Sequence, residues 1–261
     1  MKHKSPHQGR PPFPRRDDRD DGPVRLYGIH AVAAALANPA RAIGRLVLTD
    51  NAENRLATAI AERAARPEKV MPRDLDRLLG DDAVHQGALL ETEHLEEPTL
   101  ETLAEACATS GPLIVLDQVT DPHNVGAILR SAAVLGASGL IMTRRHSPPL
   151  SGSLAKAASG GLEVVPVALV SNLARAMDEL GELGVHRVGL DGEGEATIDG
   201  VDLRGAVALV LGAEGKGLRR LTRENCDVLA RIPSATAFAS LNVSNAAAVA
   251  LYAAAQTRRK T

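Results

Sequence analysis

The stretch Asp117-Gln-Val-Thr-Asp-Pro-His-Asn-Val-Gly-Ala-Ile-Leu-Arg130 constrains the fold of this 261-residue chain more than any other. The apolar run Leu113 to Leu116 ahead of it predicts a strand. The polar run Asp121-Pro122-His123-Asn124 predicts a loop. Beyond it Val125, Ile128, Leu129, Ala132 and Leu135 recur at helical spacing and define one buried stripe. Asn124 and Arg130 lie off that stripe. A strand end followed by a helix thus delivers an amide and a guanidinium to the edge of an α/β sheet, where ligands usually bind.

The same alternation continues along the chain. Strands are expected at 113–118, 139–143, 164–167, 185–190, 206–211 and 228–231. Helices are expected near 124–136, 151–158 and 172–182, with a last one from about 242 to 257. Apolar strands separated by helices predict a largely parallel sheet. The last helix carries Val243, Ala247, Ala250, Leu251 and Ala254 on one stripe, with further alanines around it. Small residues on several faces suit burial on more than one side.

A smaller α/β module is expected before this sheet, over 24–97. Its elements are helices at 31–36, 52–65 and 73–79, strands at 45–49 and 88–90, and a short strand at Val70-Met71. Residues 98–111 form the connection, with a helix from Thr99, and residues 112–261 form the second domain. Residues 1–23 mix Lys, Arg, Asp and Pro and cannot bury enough apolar surface to fold alone, so they are a disordered tail or an RNA-tethering arm.

Composition removes several function classes. Aromatic residues are 2% of the chain and Trp is absent, so stacking platforms for single-stranded RNA are scarce. A net charge of −2 argues against a general nucleic-acid coat, leaving room for a local basic patch. Arg144, Arg145, Arg219, Arg220, Arg223 and the terminal 258–260 run are its candidates, with solvated surface charge as the alternative. Two cysteines, Cys107 and Cys226, supply no disulfide framework and no zinc site. Metal-ligand spacing is absent, so no metal is expected. No apolar run is long enough to span a membrane, and the natural compartment is the cytoplasm.

Chemistry is carried by three segments in order. After the first comes Leu211-Gly-Ala-Glu-Gly-Lys-Gly-Leu218. The third is Ile232-Pro233, followed by Ser240-Leu-Asn-Val-Ser244. The spacing Gly212-x-x-Gly215-x-Gly217 reverses the dinucleotide fingerprint, and the phosphate loop G-x-x-x-x-G-K-[ST] is absent. Glu214 would repel a diphosphate. The loop suits a cofactor without phosphates, approached closely where side chains are missing; a plain tight turn is the alternative.

These three segments resemble the motifs of the SpoU/TrmH branch of the α/β-knot (SPOUT) RNA methyltransferases, over nearly the whole chain beyond the tail. Tyr27-Gly-Ile-His-Ala-Val32 and His85-Gln-Gly87 look like the amino-terminal substrate domain of the branch's rRNA enzymes, the RlmB-like group. The resemblance implies a carboxy-terminal sheet with a deep trefoil knot, a smaller RNA-binding domain before it, and a homodimer. It implies S-adenosylmethionine as cofactor and methylation of a ribose 2′-hydroxyl, on a guanosine of 23S rRNA. The alternatives are the same chemistry on tRNA or another rRNA nucleotide, or a non-catalytic ribosome assembly factor.

By position, the resemblance assigns Leu211, Gly212, Gly217, Ile232 and Leu241 to the cofactor, with Ile232 and Leu241 sandwiching the adenine. It assigns Asn124, Arg130, Glu214, Ser240 and Asn242 to the reaction. Arg130 matches the arginine proposed to contact phosphate and help deprotonate the hydroxyl; because arginine stays protonated, positioning and polarising are the physically easier roles. Asn124 orients its neighbours or caps the following helix. Glu214 anchors donors or is a plain loop carboxylate. Ser240 and Asn242 serve the site or cap the last helix. A dimer of this family would set Asn124 and Arg130 of one subunit near the cofactor of the other. His30 and His85 contact RNA or are satisfied structural histidines.

Overall fold

A computed structural model describes residues 22–236 and 241–259. The first module comprises β1 (Val24–Tyr27), α1 (Ile29–Ala37), β2 (Ile43–Leu48), α2 (Asp50–Arg63), β3 (Glu68–Lys69), α3 (Pro72–Leu79) and β4 (Ala88–Thr92). Its strands form a four-stranded sheet in the order β1-β4-β2-β3.

The remaining elements are α4 (Leu100–Thr109), β5 (Leu113–Asp117), α5 (Pro122–Leu135), β6 (Gly139–Thr143), α6 (Gly152–Ala158), α7 (Gly161–Val164), β7 (Val167–Val170), α8 (Leu173–Glu182), β8 (His186–Leu190), β9 (Ala196–Thr197), β10 (Val207–Gly212), α9 (Arg220–Glu224), β11 (Val228–Arg231) and α10 (Val243–Arg259). They build a seven-stranded sheet, β7-β6-β5-β10-β8-β11-β9, in which each neighbouring pair is parallel. Strands β5, β6 and β10 are buried almost throughout, as a parallel sheet covered on both faces requires.

Local chemistry sets the helix starts. Thr49, Thr99, Asp121 and Asn172 each accept a backbone N–H of the helix that follows. Asp121 caps α5, so Asn124 lies inside the first turn and is not the cap. The strand expected at 164–167 starts late. Val164 ends the short helix α7, and Pro166, which has no N–H to give a ladder, precedes β7. The strand expected at Val70-Met71 falls two residues earlier, because Met71 is the N-cap of a helix that opens on Pro72. The strands β1 and β9, absent from the sequence pattern, are short and are read only through their partners β4 and β11.

Within the stretch expected to connect the modules, α4 buries Leu103, Ala104 and Cys107 against Leu113, Val115, Ile141 and Val210 of the large sheet. The modules themselves share one apolar core. Val24, Leu26, Val32 and Leu36 of the first belong to the same buried cluster as Val125, Ile128, Leu154 and Leu162 of the second. A buried ion pair crosses the seam. Arg41 donates to both Glu163 oxygens, at 2.7 and 3.1 Å, and Asn38 adds an amide bond at 2.9 Å. Such a pair is held by its complete set of hydrogen bonds, and removing one partner strands a buried charge.

Candidate active site

Sheet order fixes where a site can lie. The chain runs outward from β5 through β6 to β7, whereas β10 inserts on the other side of β5. The carboxyl ends of β5 and β10 are adjacent, with Asp117 directly opposite Gly212. Loops leaving the two ends therefore border one crevice at a topological switch point, where open α/β sheets bind ligands.

The three sequence motifs converge there. The Asn124 amide donates to Glu214 Oε1 at 3.3 Å. Asn242 Nδ2 donates to Asn124 Oδ1 at 3.0 Å and also to Glu214 Oε1. Asn242 Oδ1 in turn accepts Ser244 N–H at 2.9 Å, so the same side chain caps α10 and joins the cluster. Each member spans a large sequence gap, and two amides fix the Glu214 carboxylate. Asn124 thus meets Glu214 and Asn242 of its own chain.

A Cβ on Gly212 would collide with the backbone of Gly217, so the closure of the loop itself requires a glycine there. The loop folds back through a bridge between Ala213 and Gly217, with Gly217 N–H donating to Ala213 O at 2.9 Å. Open space lies on the Gly217 side. Leu211 spends its side chain in the core, Ile232 is half-buried against that core, and Leu241 is exposed by 51% beside Asn242. Ser240 lies outside the described residues.

One determinant escaped the sequence reading. Asp117, at the end of β5, is fully buried and accepts Arg219 N–H at 2.9 Å and Arg219 Nε–H at 2.6 Å. This pair ties the strand of the first motif to the exit of the glycine loop. Its only trace in the sequence is a carboxylate ending an otherwise apolar strand.

Arg130 is exposed on α5 and has no hydrogen-bond or ion-pair partner among the described residues. The expected basic patch is otherwise largely spent. Arg219 is held by Asp117, Arg220 by Glu224, Arg223 by Asp191, and Arg144 by Glu97; Arg258 donates to the carbonyls of Cys107 and Gly205. His85 is a satisfied structural histidine, with Nε2 at 3.0 Å from Asp76 and Nδ1 accepting Gly87 N–H at 3.0 Å, whereas His30 is exposed. Burial pushes the Cys226 thiol up to about 12 and raises that of Cys107, so neither is a ready nucleophile. Among the described residues no group of His, Cys, Asp and Glu is placed to hold a metal, and no helix is long and apolar enough to cross a membrane.

Comparison with known proteins places these features in context. Residues 111–252 match the SpoU rRNA Methylase family, and residues 25–98 match the RNA 2′-O ribose methyltransferase substrate binding model. The 23S rRNA (guanosine-2′-O-)-methyltransferase RlmB of Pseudomonas putida is 39% identical over 242 residues, which are 90% of this chain and 97% of that protein. The enzyme of the same name from Xylella fastidiosa is 41% identical over 240 residues, 89% and 96% of the two chains. The crystal structure of the SpoU methyltransferase AviRb from Streptomyces viridochromogenes, in complex with the cofactor AdoMet, superposes with a TM-score of 0.77 at 23% identity and covers 92% of each chain.

Proposed function

The chain belongs to the SpoU rRNA methylase family, and on that premise we propose that it transfers a methyl group from S-adenosylmethionine to the ribose 2′-hydroxyl of a guanosine in 23S rRNA. The observation that carries this reading is the meeting of Asn124, Glu214 and Asn242 at the crevice between β5 and β10. Relatives named for that reaction match about nine-tenths of the chain at 39–41% identity. The match of residues 25–98 to a substrate-binding model favours rRNA over the tRNA alternative.

The crevice suits the cofactor chemically. An exposed Leu241 and a half-buried Ile232 offer apolar surface for a base, and the open side of Gly217 leaves room beside backbone groups. Gly212 serves by letting the loop close, and Leu211 by anchoring it in the core. S-adenosylmethionine, when bound, supplies an electrophilic methyl group. The chain's own task is to orient the hydroxyl, receive or relay its proton, and steer the neighbouring phosphate. Arg130 is the free guanidinium for the phosphate. Glu214, fixed by two amides, is an acceptor of fixed direction, and Asn124 and Asn242 hold it there; Ser240 completes the set on family grounds.

The active unit in this proposal is a cytoplasmic homodimer. Val249 and Tyr252 of α10 and Val134 of α5 are exposed apolar side chains on two helices that pack together, and they favour a second copy on that face. Such a dimer would set Asn124 and Arg130 of one subunit near the cofactor of the other. The carboxy-terminal knot belongs to the same reading. It is supported by the path of α10, which follows β11 on the far flank of the sheet yet packs against α5. We assign RNA selection to residues 24–97 and chemistry to 112–261. Mapping ribose methylation in 23S rRNA from a strain lacking this chain tests the proposal. One 2′-O-methylguanosine should disappear and return with the gene; an unchanged methylation map would overturn the reading.

A further inference from the structure

The seam between the modules holds an unspent cation. Gly28 follows β1 and precedes α1 with φ +93°, a left-handed value that favours glycine. The side-chain stem of Lys156, on α6 of the second module, lies across it: a Cβ on Gly28 would sit 3.3 Å from Lys156 Cγ and 3.7 Å from Cδ. Around this crossing the polar groups are already engaged. Gln86 Oε1 accepts Ile29 N–H at 3.2 Å. Burial pushes the Tyr27 phenol above its usual range, opposed by its bond to Ser153.

Lys156 itself has no hydrogen-bond or ion-pair partner among the described residues, on a surface where most arginines beside the large sheet are held by carboxylates. Its stem lies over Gly28 while its ammonium is unpaired among the described residues, an arrangement suited to a point contact with an anion. The neighbouring helix α1, which packs on α6, carries His30 exposed in its first turn, two residues from Gly28. On the other side α6 and α7 pack tightly on α5: a Cβ on Gly126 would meet Leu154 O of α6 at 2.6 Å, and one on Gly161 of α7 would meet Arg130 N at 3.0 Å. Lys156 therefore stands between the first module and the helix that carries Arg130.

We propose that Lys156, with His30 of the neighbouring helix α1, contacts the sugar-phosphate backbone of the RNA where the strand passes from the first module towards Arg130. The proposal rests on the RNA-methylation reading above. An ammonium meets phosphate without regard to base, so this contact sets register and not sequence. It requires the two modules to be packed as they are, because the residue that closes on Gly28 and the residue that faces the phosphate are the same.

Lys156→Met tests this, because it keeps the stem over Gly28 and removes only the charge. The probe is an unmodified 23S rRNA transcript, and the readouts are filter binding across a salt series, methyl transfer and thermal melting. The melting midpoint should match wild type. RNA affinity should fall about fivefold at low salt, and the slope of log affinity against log salt should shrink by about 0.7–0.9, the loss of one phosphate contact. The apparent KM for RNA should rise with kcat nearly unchanged. Lys156→Arg should restore most of the affinity, and His30→Ala should give a smaller loss of the same kind. Wild-type affinity and salt slope in a well-folded Lys156→Met would overturn the proposal. If Lys156→Met misfolds, an unchanged salt slope in Lys156→Gln overturns it equally. If wild type bound the transcript but never methylated it, the functional reading would fall, while the binding comparison would still decide the role of Lys156.

Discussion

Removing the guanidinium of Arg219 should loosen the glycine loop and the sheet together. The Arg219→Met change keeps the stem and leaves the Asp117 carboxylate, which is fully buried, with one remaining donor, the Arg219 N–H at 2.9 Å. Breaking a wholly buried ion pair costs about 3–5 kcal/mol. Arg219 is 48% exposed, so water can reach the vacated position, and the backbone bond persists. Both facts lower the cost to about 2 kcal/mol. For a chain of this size that corresponds to a fall of about 4–8 °C in Tm. Asp117→Asn in the same background removes the stranded charge, so the double variant should be more stable than the sum of the two single changes predicts. Urea unfolding of the four proteins measures this coupling, and calorimetry with S-adenosylmethionine should show weaker binding in Arg219→Met. Additive stabilities within about 0.5 kcal/mol, or no loss in the single variant, would refute the claim that this pair pins the loop.

Three further outcomes are expected. Gly212→Ala should lose stability and cofactor affinity together, by about 2 kcal/mol or more in urea unfolding, since the added carbon meets the loop's own backbone; a stable variant that only binds the cofactor poorly would restore the ligand-contact reading. Arg130→Ala should lower methyl transfer to 23S rRNA by at least about 100-fold, roughly 2.7 kcal/mol of barrier, while melting stays as in wild type because the side chain is exposed; activity within about threefold of wild type would remove Arg130 from the mechanism. Acid stability should depend on Asp227, whose carboxyl is held below its usual range first by the Arg187 hydrogen bond. A lowered folded-state pKa means stability that is present above the unfolded value near 3.8 and lost as pH falls through the folded value. Asp227→Asn should therefore flatten the loss of stability below pH 3.8; equal acid limbs in chemical denaturation would contradict it.

Much of this was legible because periodicity reports local geometry. The helical stripe of Val125, Ile128, Leu129 and Ala132 and the run Leu113 to Leu116 name a strand-loop-helix unit without any partner. The convergence of Asn124, Glu214 and Asn242 was accessible only through family likeness, since the three are up to 118 positions apart. The Asp117–Arg219 pair, 102 positions apart, left no trace beyond a carboxylate at the end of an apolar strand. Which arginines of the candidate basic patch are paired was not legible for a related reason: composition counts arginines, but only folding shows which carboxylates they face. The approach of the loop's own backbone to Gly212 was hidden in the same way. A glycine at a strand end signals close approach, and the sequence does not say whether a ligand or the chain itself arrives.

The continuous core and the Arg41–Glu163 pair have a consequence for truncation and for target choice. A fragment starting at Gly111 would discard α4 and leave Glu163 facing an empty seam, so its failure would report a damaged fold and say nothing about RNA selection. On the proposed reading, the two modules are the jaws of a fixed gauge. The span between the place where RNA is gripped and the place where it is methylated is set by packed side chains, not by a tether. Such a gauge selects a nucleotide by its distance from a recognised fold of the RNA. Lengthening or shortening that fold by one nucleotide should move the mark or abolish it, whatever base occupies the gripped position.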